Sequence, residues 1–339
     1  MTITRITEII REWMSWCPNT STVRNAPVIL TAPSVTADAS VPGGGAAGAG
    51  RIDRGVDMAI GSIRFLLLNR PLFWFSFLIA LVMTFNLAAS LYLQVLSGTN
   101  PVPGMNLIAI PPAIIGVGTP LWLALTFTNA VITSFLTYYL LAALFTHVSL
   151  ILSGRASTIR DALSYAGGYL WPLAIWSVVW ALIGTLYLFI QASFPIANGI
   201  GNIGITLAAM AVQFVIYVPT LYVIPALVIE NKNLADAFWG SLSVFGKTWG
   251  EMVSGFGVLF LIAFLITLTS LVPMIVIGFS SGSTALASAV VVLYMLVLLV
   301  LNFIGWTIVG ITLLGLFTYG TTGAVHPVFQ GKHGVKAPA

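Results

Sequence analysis

The sequence has very little charge. Only 6% of its 339 residues are Asp, Glu, Lys or Arg, whereas 58% are hydrophobic. Soluble domains carry about 25% charged residues, because water must solvate most of their surface. The scarcity of charge therefore excludes a soluble globular protein and predicts that lipid surrounds most of the chain.

Residues that perform chemistry are also scarce. The single cysteine, Cys17, excludes an internal disulfide and a cysteine-based metal cluster. The run Gly246-Lys247-Thr248 is preceded by Ser241 where a Walker loop requires glycine, and the three histidines form no metal-binding helix motif. The sequence therefore predicts no metal, no cofactor and no catalytic constellation. Its dispersed basic residues, mixed with acids, predict no nucleic-acid partner.

The charges that are present fall into clusters separated by three uncharged stretches, residues 71–154, 171–229 and 252–331. About 20 apolar residues cross a bilayer as a helix. On that criterion the sequence predicts an all-α polytopic bundle of six spans, at about 71–96, 121–152, 172–194, 203–229, 252–279 and 285–318.

The clusters also predict an orientation. With six spans, both termini and the loops at 153–171 and 230–251 share one side of the membrane, and the opposite loops contain no Lys or Arg. Because positive residues favour cytoplasmic loops, we expect a multi-pass protein of the cell membrane with cytoplasmic amino and carboxyl termini. The uncharged stretch 105–119 is interpreted as an extracytoplasmic loop or a re-entrant segment.

Four regions follow from composition. Residues 1–17 have the periodicity of an amphipathic helix, which either lies in the membrane interface or docks on a protein partner. Residues 18–55 are rich in Pro, Ser, Thr, Ala and Gly and predict a flexible linker. Residues 56–322 form the predicted six-span domain, and residues 323–339 a cytoplasmic tail.

A weak repeat subdivides the membrane domain. Similar short segments begin at Asp57, Asp161 and Asp236, and each precedes an odd-numbered span. We therefore expect three helical hairpins, each introduced by an amphipathic helix on the cytoplasmic surface.

Three sets of residues are candidates for function. The first is a basic surface for lipid headgroups or a partner, and the second is a structural loop motif. The third is a set of polar side chains inside the spans, which either link helices by hydrogen bonds or line a path for a neutral solute. The basic surface consists of Arg155, Arg160, Lys232 and Lys247. The loop motif consists of Pro225, Glu230, Ser241, Trp249 and Glu251. The polar side chains inside the spans are Gln213, Asn302 and His147.

Several runs carry a family resemblance. They are Pro225-Ala-Leu-Val-Ile-Glu230, Phe245-Gly-Lys-Thr-Trp249-Gly-Glu251 and the C-terminal stretch 319–329. Over residues 56–330 the chain resembles a family of uncharacterised prokaryotic six-span membrane proteins. That family is distantly similar to the membrane domain of some glycerophosphodiester phosphodiesterases, whose catalytic domain has no counterpart in this sequence. The run Trp16-Cys17-Pro18-Asn19 resembles an element of methanogen proteins and suggests an archaeal source.

Two functions are compatible with these features. The first is a non-enzymatic accessory, assembly or lipid-organising component, with membrane lipids as its partners. The alternative is a transporter or channel subunit for a neutral or amphiphilic solute. The sequence predicts no particular oligomeric state.

Overall fold

A computed structural model describes residues 49–97, 116, 118–193, 215–280 and 284–329. These residues form helices and connecting turns, without a β-strand among them. The α-helices are α1 (Ala49–Leu68), α2 (Leu72–Leu96), α3 (Pro120–Leu152), α4 (Ile159–Gly167), α5 (Leu170–Ser193), α6 (Val223–Ile229), α7 (Leu234–Ser280) and α8 (Thr284–Thr322).

Five segments in the described part of the chain are long and apolar enough to cross a membrane. They are Leu72–Leu96, Pro120–Leu152, Leu170–Phe189, Leu234–Leu268 and Ile304–Thr322. The predicted all-α class and the multi-pass membrane character are therefore confirmed. The count of six spans and their pairing into hairpins stay predictions.

The predicted fourth span, 203–229, is described only in its second half. There Val215–Ile229 is a shorter apolar helix, interrupted by a 3₁₀ turn at Val218–Thr220. Pro219 lies in that turn, where its missing N–H removes a helical hydrogen bond. Pro225 lies in the first turn of α6. Backbone nitrogens of a first turn have no carbonyl partner within the helix, so the missing N–H of proline removes no hydrogen bond there.

Helix α7 differs from the predicted division into a loop helix ending at Glu251 and a span starting at residue 252. The structure has one helix of 47 residues, Leu234–Ser280. No proline occurs between Leu234 and Pro273, and Gly246 and Gly250 lower helix propensity without removing a hydrogen bond. At 1.5 Å per residue the helix is about 70 Å long. Because the hydrocarbon core is only about 30 Å thick, the helix extends beyond it.

The charged elements gather at one end of the bundle. Helix α1 packs against α7 and α8, and α4 packs against α3. The Arg54 guanidinium lies 5.4 Å from the centre of the Tyr319 ring, near the end of α8. We call this region, formed by residues 51–70, 153–169 and 230–251, the charged end. The described ends of the spans opposite to it carry no charged side chain.

The structure does not reach every predicted region. The amino-terminal helix at 1–17, most of the linker and of the stretch 105–119, and the last ten residues of the tail lie outside the described residues. The end of the predicted linker belongs to α1, which begins at Ala49.

Candidate functional site

A local hydrogen-bond motif sets the start of α4 at the charged end. The Thr158 hydroxyl donates to the Asp161 carboxylate at 2.6 Å and accepts from the Asp161 N–H at 3.2 Å, while the Thr158 N–H donates to the same carboxylate. This capping box satisfies N–H groups that a helix start otherwise leaves unpaired. The Thr158 hydroxyl and N–H, helped by the charge of Arg160, lower the pKa of Asp161 below its ordinary value.

Two hydrogen bonds join the loops of the charged end. The Tyr139 hydroxyl on α3 donates to the Leu163 carbonyl of α4 at 2.9 Å. The Tyr169 hydroxyl, just after α4, donates to the Asn231 side chain at 2.9 Å. The loop before α7 and the segment around α4 are therefore parts of one surface.

The predicted basic residues lie on the charged end. Arg155, Arg160 and Lys247 are exposed and have no ion-pair partner among the described residues, whereas Lys232 pairs with Glu230 at 2.6 Å. Arg155, Arg160 and Lys232 lie on the two loop regions that the Tyr169–Asn231 bond connects, and Lys247 lies on α7. The charged end thus exposes three cations that form no salt bridge among the described residues, Arg155, Arg160 and Lys247, and the charge of Arg160 also acts on Asp161.

Tryptophans accompany these charges. Trp74, Trp171, Trp239 and Trp249 are exposed, and each lies close to the charged end of its helix. Indole rings favour the boundary between hydrocarbon and headgroups, because one edge is apolar and the N–H is polar. Exposed tryptophans beside charged residues are typical of the boundary between a membrane and water.

The loop motif includes one buried charge. Glu251 is 1% exposed, and its Oε1 atom accepts a hydrogen bond from Arg54 Nη2 at 2.9 Å, with Arg51 Nε 3.9 Å away. The other carboxylate oxygen, Oε2, has no partner among the described residues. Burial of an unpaired charge is strongly unfavourable, so Arg54 is needed to hold Glu251 in the bundle. The pair ties α1 to α7.

Glycines bring the same two helices together. A Cβ atom at Gly55 would overlap the Ser254 side chain and the Glu251 carbonyl oxygen, and one at Gly255 would lie 2.9 Å from the Gly55 carbonyl oxygen. Small residues allow helix backbones to approach closely in membranes. We call this contact, together with the Arg54–Glu251 pair, the α1–α7 junction.

One motif residue, Ser241, and its helix neighbour Thr248 hold α7 against the segment before α6. The buried Ser241 hydroxyl donates to the Pro219 carbonyl oxygen, and the Tyr222 hydroxyl shares a hydrogen bond of 3.0 Å with Thr248. Pro225 is buried in α6 and Trp249 is exposed. These contacts are packing and hydrogen bonds between helices, and the assignment of the set as a structural loop motif stays a prediction.

Polar side chains inside the spans bond to a neighbouring helix or to a neighbouring loop. Asn129 on α3 donates to the Asn86 side chain on α2 at 2.9 Å, and His147 Nδ1 shares a hydrogen bond of 2.9 Å with Ser157. The second ring nitrogen of His147 is buried and has no partner among the described residues. The side chains of Gln213 and Asn302 lie outside the described residues. The structure thus does not bring the three predicted intramembrane residues into one described site.

A large apolar cavity lies between the helices. Its volume is about 780 Å³, and its walls come from α1, α3, α5, residues 217–224, α7 and α8. Aromatic residues contribute to the walls, among them Trp176, Trp180 and Tyr217. His147 is not among the residues that line it. Sequence reasoning missed this cavity, because it depends on the distances between five helices that are far apart in the sequence.

The described residues contain no group of three or more His, Cys, Asp or Glu side chains placed to hold a metal ion. The described residues offer exposed cations at the charged end and apolar contacts in the cavity.

The fold and these two sites define a multi-pass helical membrane protein. Residues 121–326 match the family of unknown function DUF6159, which covers more than half of the chain. The protein belongs to this family. No curated protein and no solved structure matches the chain. The family match has no link to the phosphodiesterase membrane domain or to archaea, so both stay predictions.

Proposed function

We propose that the protein is a non-enzymatic accessory or lipid-organising component of the cell membrane, which gathers anionic lipid at its charged end. The observation that supports this most is the surface joined by the Tyr169–Asn231 hydrogen bond. It presents Arg155 and Arg160 without salt-bridge partners among the described residues, and Lys247 on α7, at the same charged end, also has none there. Each Lys or Arg near an anionic membrane surface contributes about 1 kcal/mol of attraction.

The proposal includes an orientation. Six spans in three hairpins, with the charged end and both termini in the cytoplasm, agree with the positive-inside rule. Cys17, the single cysteine, provides a direct test. A membrane-impermeant maleimide should label it in inverted vesicles and leave it unlabelled in intact cells, with Cys17→Ser as the blank. Labelling in intact cells would contradict the orientation.

Lipid enrichment tests the function itself. The protein is extracted from membranes of mixed phosphatidylglycerol and phosphatidylcholine with a styrene–maleic acid copolymer, and the co-extracted lipids are quantified. The native protein should enrich phosphatidylglycerol over the bulk membrane. The variant that replaces Arg155, Arg160, Lys232 and Lys247 by Gln should lose most of that enrichment.

A matched variant removes charge of the other sign. Replacing Asp53, Asp57 and Asp236, all at the charged end, by Asn should keep or increase the enrichment, since the surface becomes more positive. Equal enrichment in the native protein and in the Gln variant would overturn the proposal.

A parallel flux measurement in proteoliposomes tests the alternative, a transporter subunit for a neutral or amphiphilic solute.

A further inference from the structure

We infer that the apolar cavity is a binding site for one hydrocarbon chain of a membrane lipid, which enters sideways from the bilayer. This inference goes beyond the proposed role of the charged end, because the cavity lies inside the bundle and includes none of the four candidate basic residues. It would hold or fail independently of anionic lipid enrichment.

The size and chemistry of the cavity identify its occupant. Ligand sites of proteins range from about 300 to 1,000 Å³ and are lined mainly by apolar and aromatic side chains. The cavity of about 780 Å³ lies within this range. Polar atoms form only a small part of its wall, and the Thr220 hydroxyl already donates to backbone carbonyls of its own segment. The lining side chains that carry a polar atom are Tyr138, Trp176, Trp180, Tyr217, Thr220, Thr267 and Trp306. Ordered water requires two to four polar partners, so an apolar occupant is favoured.

The surroundings of the cavity identify where the occupant comes from. Most of the walls belong to the segments long and apolar enough to span the membrane. Phe260 lines the cavity and is also 72% exposed on α7. The cavity therefore communicates with the lipid-facing surface of the bundle, where hydrocarbon chains are the surrounding solvent. An unfilled space would forfeit dispersion contacts that such a chain supplies.

One glycine allows the cavity to be filled by substitution. Gly305 on α8 lines the cavity, and a Cβ atom there would meet nothing within 4 Å. Gly305→Leu places four carbon atoms in the open space. Because Leu is a better helix former than Gly, the substitution favours α8 itself. Gly257→Leu on α7 is the matched control, since its Cβ also meets nothing within 4 Å and it does not line the cavity.

Photolabelling reads out the occupant at single residues. The full-length protein is placed in phosphatidylcholine nanodiscs that contain a phosphatidylcholine with a diazirine in its acyl chain, and adducts are located by peptide mass spectrometry after irradiation. Trp176 is only 6% exposed and lines the cavity, so its adduct reports a chain inside. Trp74 is 60% exposed and does not line the cavity, so its adduct reports the bulk bilayer.

The expected result is an adduct on Trp176 in the native protein and in Gly257→Leu. In Gly305→Leu that adduct should fall by at least about tenfold, the discrimination that one methylene brings in a hydrophobic pocket, while the Trp74 adduct stays unchanged. A native protein that labels Trp74 and not Trp176 would show that another part of the chain or a second copy fills the cavity. That outcome, or equal Trp176 labelling in both Leu variants, would overturn the inference.

A second measurement guards against a folding defect. The circular dichroism spectrum and the elution volume of Gly305→Leu should match those of the native protein. If they do not, Ala263→Leu provides another cavity-filling change at a lining position of α7. Trp176 labelling that survives a correctly folded Ala263→Leu would equally overturn the inference.

Discussion

The α1–α7 junction and the cavity use glycine in opposite ways. At Gly55 in the junction, a single added carbon would overlap the atoms of Ser254 and Glu251, whereas at Gly305 in the cavity it would meet only open space. The junction combines a close backbone contact with a buried ion pair. The cavity has mainly apolar walls, and none of the described residues that line it is charged. Specific polar contacts therefore hold the charged end, while lipid completes the packing in the middle of the bundle.

Gly55→Leu should break the junction and has the largest expected effect. The added side chain has no room against the α7 backbone, so α1 must move away and expose Arg54 and Glu251 together. We expect a loss of at least about 3 kcal/mol, the upper part of the range for overpacking a core. The free energy of unfolding in mixed micelles of dodecyl maltoside and sodium dodecyl sulfate measures it. Gly257→Leu should be close to neutral, and equal losses would show that the junction is not specifically close-packed.

Arg54→Gln should weaken the junction through its charge. The change leaves the buried Glu251 carboxylate without its nearest cation, and we expect a loss of about 2 kcal/mol. This is below the ~3–5 kcal/mol for breaking a fully buried pair, because the Arg54 side chain is 40% exposed. The same unfolding measurement applies.

Arg51→Gln is the matched control for that change. Arg51 lies on the same helix and faces the same carboxylate, but at 3.9 Å and with a more exposed side chain. Exposed pairs contribute about 0–1 kcal/mol. If the two variants lose equal stability, the carboxylate has no preferred partner and the geometry of the junction is wrong.

The sequence predicts the helical class and the long apolar segments because charge and hydropathy act along the chain. The uncharged stretches reveal spans such as α2 and α3 before any contact is known. The same information does not show that Glu251 points into the bundle. Its neighbours Lys247 and Trp249 are exposed, and only the approach of Arg54, 197 positions away, distinguishes it from them.

The cavity was beyond prediction for a related reason. Trp176 and Gly305 are ordinary residues of apolar helices, and their sequence context is the same whether they meet a neighbouring helix or open space. Gly310 illustrates this: five positions from Gly305 on α8, its Cβ would lie 2.8 Å from the Leu144 side chain. Distances between helices, which arise from the whole packing arrangement, decide between the two outcomes.

Thr158→Val tests whether the capping box, in addition to the α1–α7 junction, contributes to the stability of the charged end. The substitution keeps the shape of the side chain and removes the hydroxyl of the capping box. We expect a loss of about 1 kcal/mol, the usual contribution of a helix N-cap, in the same unfolding measurement. Thr128→Val on α3 is the control, because the Thr128 hydroxyl only donates within its own helix. If Thr128→Val loses as much stability as Thr158→Val, the loss does not come from the capping box.

The smallest expected effect concerns pH at the same helix start. Hydrogen bonds from Thr158 lower the pKa of Asp161 in the folded protein below the ordinary value of 3.8. A carboxyl group with a lowered folded pKa stabilises the fold above its unfolded pKa, and this contribution disappears as the pH falls through the folded pKa. The native protein should therefore have a higher Tm than Asp161→Asn at pH 7, and the difference should shrink below about pH 3.8. In a Thr158→Val background the difference should be smaller, because the hydroxyl hydrogen bond that contributes most to the lowered pKa is gone while the backbone N–H bond and the charge of Arg160 remain. A Tm difference that is independent of pH and of Thr158 would mean that Asp161 acts through something other than the capping box.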